Sequence, residues 1–350
     1  MKAWRIDTHG GNEVLKRIEL ETPKPGPGKI RVDVKAVGLN HLDLWVRKGV
    51  PGHRFPLPLI PGTDAVGVVS EIGPGVDLKS SGLAIGTRVI VSPGFSCGKC
   101  PACLAETDPL CASYGIRGES ADGGCADSIV LPWEDAIPLP DSLSFIEAAA
   151  IGIPYLTAWS MLVRKARVHA GEFVLIQAGG SSVSVAATQL AKLFGATVIT
   201  TVGDDSKIEK SKATGADYVI NYRKNSFREE LKKILKPIGK KGVDVAIDHV
   251  GQDTFLESMK SLATGGRLAT CGATTGGEVL IDLKLLFFKN LSLLGTTMGA
   301  RADLVRAVKL IGEGKVKPVV DRTLPMEKLG EALTLIEERK LFGKIVLTQE

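Results

Sequence analysis

The pattern of hydrophobic and polar positions changes at Gly171, where short apolar runs begin to alternate with amphipathic segments. The apolar runs have the length of buried strands, and the segments between them, of about 10 to 15 residues, have the periodicity of helices. We predict strands over 172–178, 196–202, 218–222, 243–250, 267–273 and 291–297. Helices are expected over 184–195, 206–215, 226–235 and 254–266. This alternation predicts an α/β fold whose doubly wound parallel sheet is covered by helices on both faces.

A turn rich in glycine and serine follows the first strand of this series. A G-x-G-x-x-G frame there keeps only the first of its three glycines. Small residues still let the backbone approach a pyrophosphate at a helix N-terminus. A serine-capped helix after a strand has the same appearance, so it is the surrounding series of strands and helices that favours a dinucleotide site. The predicted cofactor-binding residues are Gly179, Gly180, Ser181, Ser182, Val183, Ser184, Lys207, Tyr222, Val250, Gly272 and Lys344.

The end of the second strand bears on the choice of cofactor. An acidic residue there would accept the ribose 2′-hydroxyl of NAD, but residues 201–203 are Thr-Val-Gly, and the first acids are Asp204 and Asp205. We expect these two acids to cap the next helix. Lys207 and Tyr222 are then placed to face a 2′-phosphate, so the sequence favours NADP(H), with NAD(H) as the alternative.

Four cysteines lie within fifteen positions, and the other two, Cys125 and Cys271, receive no role. Their spacing is C-x2-C-x2-C-x7-C, with glycine and proline between them to turn the chain. Four thiolates at such spacing suit tetrahedral zinc, whereas the usual iron–sulfur run closes with three intervening residues and a Cys-Pro pair. Disulfides are the other alternative. A zinc saturated by four cysteines has no open position, so we predict a structural zinc on Cys97, Cys100, Cys103 and Cys111.

Composition excludes several classes of function. A chain of 350 residues with 44% hydrophobic residues is typical of about two globular domains. The net charge is +5, but the basic residues are spread along the chain, so neither nucleic acid nor membrane is expected as a partner. The start of the sequence lacks the pattern of a signal peptide, and we expect a cytoplasmic location.

Taken together, PGPGKIRVDVKAVGLNHLDLWVRKG, PGTDAVGVVSEIGPGV, the cysteine lobe and the closing FGKIVL resemble the medium-chain dehydrogenase/reductase superfamily. The segment GLNHLDLWVRKG is similar to the corresponding segment of zinc-type alcohol dehydrogenases that are related to the quinone oxidoreductases. The resemblance implies a GroES-like, β-rich catalytic domain over 1–152 and 299–350, with its zinc lobe at about 93–115. It implies a Rossmann dinucleotide-binding domain over 153–298, and a homodimer or homotetramer.

The chain departs from that family at the catalytic metal. The three positions that hold catalytic zinc in family alcohol dehydrogenases match Asn40, Thr63 and Ile153, which are not normal zinc ligands. The positions of the family proton relay match Leu42 and Trp45. Alcohol oxidation needs a Lewis acid to hold the alkoxide, so the sequence favours a reaction that does without one.

The predicted function is transfer of a hydride from NAD(P)H to a small-molecule quinone or activated carbonyl alkene, without catalytic zinc. The resemblance implies that Thr157 lies behind the nicotinamide and that Asn40 donates to a substrate carbonyl. Tyr155 is a candidate pocket residue or proton donor, and Lys344 is a candidate to steer a phosphate. The alternatives are a zinc-type alcohol dehydrogenase that recruits zinc through His41, Asp64 or other residues, and a non-catalytic NAD(P)-binding protein.

Overall fold

The computed structural model describes residues 1–77 and 81–349 and divides into two compact units. The β-rich unit comprises residues 1–156, 300–314 and 318–350. The α/β unit comprises residues 157–299 and 315–317. The boundaries predicted from the sequence lie at 152/153 and 298/299, a few residues from these.

A seven-stranded sheet is the centre of the β-rich unit. With strands numbered along the whole chain, this unit contains β1 (Lys2–Ile6), β2 (Leu15–Glu19), β3 (Lys29–Gly38), β4 (Asp64–Ile72), β5 (Arg88–Val91), β6 (Gly94–Phe95), β7 (Gly115–Ile116), β8 (Ser128–Pro132), β9 (Ala136–Pro138), β16 (Val320–Pro325) and β17 (Lys344–Thr348). The order in the sheet is β16-β17-β3-β4-β5-β9, and β8 pairs with β3. Residues far apart in the sequence thus become neighbours at the β17–β3–β4 junction.

Strand β3 shows why this sheet forms. Its residues alternate, so that Ile30, Val32 and Val34 are buried in the core while Arg31 and Asp33 point outward. Arg31 pairs with Glu71 on β4, which supports the antiparallel register. Among the described residues, this unit contains the helices α1 (His41–Lys48), α2 (Pro101–Leu104), α3 (Phe145–Ala148), α10 (Arg301–Gly312) and α11 (Leu329–Glu337), and α4 (Gly152–Trp159) begins in it.

The α/β unit is a doubly wound parallel sheet, as the sequence predicts. Its strands are β10 (Phe173–Ile176), β11 (Thr197–Val202), β12 (Tyr218–Asn221), β13 (Val243–Ile247), β14 (Leu262–Thr270) and β15 (Ser292–Gly295). Every pairing is parallel, and the strand order is β12-β11-β10-β13-β14-β15. Strands β11 and β12 are added on one side of β10, and β13 to β15 are added on its other side. This is the strand order of dinucleotide-binding sheets.

The helices of the α/β unit are α5 (Ser182–Leu193), α6 (Ile208–Ala213), α7 (Phe227–Leu235), α8 (Phe255–Ser261) and α9 (Leu283–Phe288). The predicted helix over 254–266 is wrong at its end, because α8 stops at Ser261 and β14 begins at Leu262. Two glycines explain the difference: Gly265 has φ +76° and Gly266 follows it, and both weaken a helix. None of the helices in the described residues has the length and apolar content that crossing a bilayer requires.

Candidate functional site

Five polar side chains meet inside the β-rich unit, and we call them the Lys344 cluster: Asn40, Asp43, Thr63, Asp64 and Lys344. They come together because β17, β3 and β4 are adjacent strands. Lys344 opens β17, Asp64 opens β4, and Asn40 follows β3 as the N-cap of α1. All five are buried, and Lys344 is only 1% exposed.

Asp64 is the centre of this cluster. Its Oδ2 accepts from Lys344 Nζ at 2.6 Å and from Asn40 Nδ2 at 2.9 Å. Its Oδ1 accepts from the backbone N–H of Ile153 at 2.8 Å. Three donors therefore satisfy a carboxylate that is fully shielded from solvent, as a buried charge requires.

Two glycines leave room for these side chains. A Cβ at Gly152 would lie 2.1 Å from Asp64 Oδ1, and a Cβ at Gly38 would lie 2.7 Å from Lys344 Cε. A side chain larger than hydrogen at either position would displace the carboxylate or the lysine. These glycines are the sequence signal for the cluster, but it is readable only once the fold is known.

Asn40 is fixed by hydrogen bonds on both ends of its amide. Its Oδ1 accepts from Lys344 Nζ at 2.5 Å, and its Nδ2 donates to Thr63 Oγ1 at 2.6 Å and to Asp64 Oδ2 at 2.9 Å. Both amide hydrogens are thus directed at partners within the protein. The donation to a substrate carbonyl predicted from the sequence requires one of these two bonds to open.

Asp43 lies beside Asn40 and has no cation in direct contact among the described residues. Its Oδ2 accepts from the backbone N–H of Asn40 at 2.7 Å, and its Oδ1 accepts from Gly62 N–H at 3.0 Å. Burial raises the pKa of the Asp43 carboxyl to about 6, and the charge of Asp64 acts in the same direction. The two backbone donors and the charge of Lys344 oppose this rise.

Tyr155 and Thr157, the other predicted catalytic residues, both lie on α4. Tyr155 belongs to the β-rich unit and is 2% exposed. Burial raises its pKa well above the ordinary range, which makes its phenol a poorer proton donor. Thr157 belongs to the α/β unit, and its buried Oγ1 has no hydrogen-bond partner among the described residues. A buried hydroxyl without a partner is uncommon, and a bound group would supply one.

The predicted dinucleotide turn lies between β10 and α5. A Cβ at Gly179 would lie 2.5 Å from Thr200 Oγ1, so only glycine fits against β11 there. The first turn of α5 carries no acidic residue, and its N-cap, Ser181, makes no side-chain capping bond. The first N–H groups of this 12-residue helix therefore remain available, and the turn fits a pyrophosphate.

Sequence reasoning missed a buried polar network behind this turn. Ser184 Oγ donates to the Gln177 carbonyl at 2.7 Å and lies 2.8 Å from His249 Nε2. Since the serine proton is used on the carbonyl, His249 must be the donor to Ser184, which fixes its Nε2–H tautomer. Asp248, which follows β13, accepts from the N–H of Val250 at 3.0 Å. This bond fixes the loop that contains Val250, one of the predicted cofactor residues.

At the end of β11, both acids are engaged away from the strand. Asp204 Oδ1 accepts from Ser206 N–H at 2.8 Å and caps the short 3-10 turn, as predicted. Asp205 instead accepts from Asn221 Nδ2 at 2.7 Å and pairs with Lys224. These bonds lower the pKa of each carboxyl, Asp204 through Ser206 and Asp205 through Lys224.

Tyr222 lies against the same strand end. A Cβ at Gly203 would lie 2.6 Å from the Tyr222 hydroxyl, so the ring covers this glycine. Lys207 ends the 3-10 turn that Asp204 caps, and its charge also contributes to lowering the pKa of Asp204. Gly272, the remaining predicted residue of this unit, accepts from Thr270 Oγ1 at 3.2 Å just after β14.

The four cysteines of the lobe converge on one point. All four Sγ atoms lie within 4.8 Å of one another, with separations of 3.5 Å for Cys100–Cys103, 3.6 Å for Cys97–Cys111 and 3.9 Å for Cys97–Cys103. Four thiolates around tetrahedral zinc, with Zn–S bonds of about 2.3 Å, would be about 3.8 Å apart. The arrangement therefore fits a structural zinc, as the sequence predicts.

One thiol of the lobe favours the form that binds metal, and the lobe is anchored to the rest of its unit. Backbone N–H groups of Lys99 and Cys100 lower the pKa of the Cys97 thiol to about 6, which favours the thiolate. The backbone N–H of Cys103 also lowers the pKa of Cys100, but its side-chain contact with Cys103 and burial outweigh this and raise that pKa to about 11, so metal binding would release protons. Asp108 Oδ2 accepts from Arg301 N–H at 2.7 Å, where α10 begins, and Glu106 pairs with Arg306 at 2.7 Å. A metal bound here would stabilise this connection between the lobe and α10.

Comparison with known proteins identifies the class of enzyme. Residues 26–141 match the alcohol dehydrogenase GroES-like domain, and residues 182–313 match the zinc-binding dehydrogenase family. An alcohol dehydrogenase of Geobacillus stearothermophilus is 32% identical over 95% of this chain and 96% of its own. The quinone oxidoreductase of Homo sapiens is 29% identical over 99% of this chain and 97% of its own. A crystal structure of an NAD-dependent alcohol dehydrogenase is 46% identical, with a TM-score of 0.93 over 99% of both chains.

The protein is thus an NAD(P)-dependent oxidoreductase. It belongs to the medium-chain dehydrogenase/reductase superfamily, with a GroES-like domain and a Rossmann sheet. Its relatives are named either alcohol dehydrogenase or quinone oxidoreductase, so the comparisons do not determine the substrate class.

The catalytic zinc that alcohol dehydrogenases of this superfamily hold does not fit the residues of this chain. At the matching positions, Asn40 and Thr63 bond to each other, and Ile153 offers only a hydrocarbon side chain. Two carboxylates lie beside these positions. Asp64 is already satisfied by an ammonium, an amide and a backbone N–H, and Asp43 accepts from the backbone N–H groups of Asn40 and Gly62. No sulfur or imidazole ligand is present at these three positions.

Proposed function

We propose that this protein is an NADPH-dependent reductase of quinones or activated carbonyl alkenes that works without a catalytic metal. The observation that carries the proposal is the hydrogen-bonded pair of Asn40 and Thr63 at two of the positions where alcohol dehydrogenases hold zinc. Because these two side chains bond to each other and offer no sulfur or imidazole ligand, they do not bind a metal ion that could act as a Lewis acid. The reaction must therefore be one whose substrate is already electrophilic.

Quinones and enones meet that condition. The bound nicotinamide supplies a hydride, and conjugation to the carbonyl makes the ring or β-carbon of the substrate ready to accept it. An alcohol, in contrast, must lose its hydroxyl proton as hydride leaves. Without a metal ion to stabilise the alkoxide, the barrier to alcohol oxidation is higher by several kcal/mol. Hydride addition leaves an oxyanion on the substrate, which takes a proton from solvent to give the hydroquinone or the saturated ketone. The protein orients the substrate and donates a hydrogen bond to that oxygen.

Asn40 is the proposed donor to that oxygen. Opening its 2.9 Å bond to Asp64 frees one N–H, while Asp64 keeps Lys344 Nζ and the N–H of Ile153 as donors. The 2.5 Å contact from Lys344 to Asn40 Oδ1 meanwhile holds the amide in place. We expect Asn40→Ala to lower kcat by about 100-fold, within the range for losing one oxyanion donor. Equal kcat values for the variant and the wild type would refute this role.

The residues at the end of β11 support NADPH as the cofactor. Asp204 and Asp205, the acids closest to the strand end, are committed to Ser206, Asn221 and Lys224. Both carboxylates are thus engaged within the protein, and Lys207 and Tyr222 at the same end suit a phosphate. Because the 46%-identical structure is named NAD-dependent, both cofactors have to be compared directly.

The cofactor proposal is tested by kcat/KM for NADPH and NADH with one quinone. We expect the wild type to favour NADPH, and Lys207→Ala to lower kcat/KM for NADPH by about 10-fold or more while leaving NADH nearly unchanged. Lys212→Ala is the matched control, since Lys212 is an exposed lysine paired with Glu209 on the same segment. A wild-type preference for NADH, or equal effects of the two variants, would contradict the proposal.

The substrate class is tested by a panel of compounds. Purified protein is mixed with NADPH and with a quinone such as 1,2-naphthoquinone, a cyclic enone or an aldehyde, and the loss of nicotinamide absorbance is followed. Turnover of the quinone or enone without turnover of the aldehyde supports the proposal. Turnover of the aldehyde alone would favour the alcohol dehydrogenases among the relatives, and cofactor binding without any turnover would indicate a non-catalytic protein.

We also propose that two copies of the chain associate through the edge of the parallel sheet. Strand β15 ends the sheet order, and Leu283, Phe287 and Phe288 on the preceding helix α9 are more than half exposed. A second copy would cover this apolar surface. The expected mass in light scattering is that of a dimer or tetramer, and Phe288→Glu should shift it toward the monomer. A wild-type monomer would refute the proposal.

A further inference from the structure

We propose that the ammonium group of Lys344 is the resident cation of the Lys344 cluster and keeps divalent metal ions out of it. The inference rests on the proposed metal-free function and deepens it, because it names the residue that takes the place of the metal charge. The prediction from sequence that Lys344 steers a phosphate is a different role, which would place its ammonium at the cofactor.

The contacts of Lys344 are those of a bound cation. Its Nζ lies 2.6 Å from Asp64 Oδ2 and 2.5 Å from Asn40 Oδ1, and it is 1% exposed. These two oxygens are the atoms that a hard metal ion would take as ligands. An ion bound to them would lie within about 4 Å of the ammonium, where two positive charges repel strongly in a buried site.

The space around the side chain is built for the lysine. Gly38 has no Cβ, and a Cβ there would lie 2.7 Å from Lys344 Cε and 1.9 Å from the carbonyl oxygen of Ala149. The lysine stem therefore runs through a gap that only glycine leaves open. A surface lysine would need no such gap, so the burial of Lys344 is a specific feature of the packing.

The charge of the cluster requires a cation. Asp43 and Asp64 are both fully buried, and the two carboxylates have only one cationic side chain in the cluster. Buried carboxylates are stable only when they are paired, protonated or bound to a metal. Removing Lys344 would leave two acids, an amide oxygen and a hydroxyl around a gap, which together form an oxygen-rich site of the kind that Mn²⁺ prefers.

The test measures Mn²⁺ binding by electron paramagnetic resonance in the zinc-loaded protein, without cofactor or substrate. Mn²⁺ is chosen because thiolates select zinc, so the cysteine lobe does not interfere. We expect no tight Mn²⁺ site in the wild type and one per chain in Lys344→Ala, bound at least about 100-fold more tightly than to the wild type. Adding Asp64→Asn to Lys344→Ala should abolish that site.

Two further variants serve as controls. Lys344→Arg keeps a cation and should exclude Mn²⁺ as the wild type does. Arg117→Ala also removes a buried cation, one that pairs with Asp135 at 2.6 Å, but it leaves a single carboxylate and should gain no site. Methylammonium should compete with Mn²⁺ in Lys344→Ala, because it restores the missing charge.

The outcomes separate cleanly. A wild-type Mn²⁺ site that Asp64→Asn removes would overturn the proposal, and so would a folded Lys344→Ala protein that binds no Mn²⁺. If Lys344→Ala fails to fold, Lys344→Gln, which keeps most of the side chain but removes its charge, takes its place in the same comparison, and a wild-type Mn²⁺ site would still overturn the proposal. Since no substrate is used, a protein that excludes Mn²⁺ but reduces no quinone would refute the proposed function alone, whereas quinone reduction with a wild-type Mn²⁺ site would refute only this inference.

Discussion

Replacing Asp43 with asparagine should change how the stability of the protein depends on pH. The folded protein raises the pKa of Asp43 from 3.8 to about 6, chiefly by burial. A carboxyl whose pKa is raised on folding stabilises the folded state when it is protonated. That contribution is fully present below the unfolded pKa and is lost as pH rises through the folded pKa.

The size of the effect follows from the pKa shift. A change of roughly two units corresponds to about 3 kcal/mol in the free energy of unfolding, and most of it falls between about pH 4 and pH 8. Asp43→Asn cannot titrate, so this component disappears in the variant. The variant also loses acceptor capacity toward the N–H groups of Asn40 and Gly62, which lowers its stability by an amount that does not depend on pH.

The assay is urea unfolding of the wild type and of Asp43→Asn at a series of pH values. We expect the stability of the wild type relative to the variant to fall by about 2 to 3 kcal/mol between pH 4 and pH 8. Asp7→Asn is the control: Lys16 and Arg5 lower the pKa of Asp7 from 3.8, so its contribution should stay nearly constant between pH 4 and pH 8 and be lost only as pH falls below that range. A constant difference between wild type and Asp43→Asn across the series would refute this account of the Lys344 cluster.

Two other predictions concern the zinc lobe and the packing of the cluster. Cys103→Ser should reduce the zinc content from one per chain to none, as measured by metal analysis, and should lower the melting temperature in thermal unfolding. Cys125→Ser is the control and should keep the zinc. Equal zinc contents in the two variants would refute the assignment of the zinc ligands. Gly152→Ala should destabilise by about 1 to 3 kcal/mol, because its Cβ would lie 2.1 Å from Asp64 Oδ1. Gly26→Ala, with no atom within 4 Å of its Cβ, should change the free energy of unfolding by less than about 0.5 kcal/mol, and a similar loss in both variants would count against the close contact.

Local patterns in the sequence were sufficient for the parallel sheet and for the zinc lobe. The strands of the α/β unit are short apolar runs, and the four cysteines lie close together in sequence, so neither prediction depends on distant contacts. The end of α8 was missed because a helix and a strand join without a break at Ser261 and Leu262. Helix α9 was missed because five of its six residues are apolar on every side: Leu285 and Leu286 pack against the core, while Leu283, Phe287 and Phe288 are exposed, so the sequence shows no amphipathic pattern.

The partners of Asn40 lay beyond sequence reasoning. Its contact with Lys344 joins residues 304 positions apart and depends on the pairing of β17 with β3. Such long-range pairing leaves no periodic signal along the chain. The resemblance to a known family located Asn40 and Thr63 as positions of interest, but only the fold shows that Lys344 bonds to Asn40 beside them.

The central claim, that this enzyme transfers hydride without a catalytic metal, is tested most directly by measuring quinone reduction as a function of metal content. Protein with one zinc per chain should reduce the quinone at full rate, and a second equivalent of zinc or a small chelator that leaves the bound zinc in place should not change kcat. Activity that requires a second metal ion per chain, and that the chelator removes while one zinc remains bound, would contradict the account.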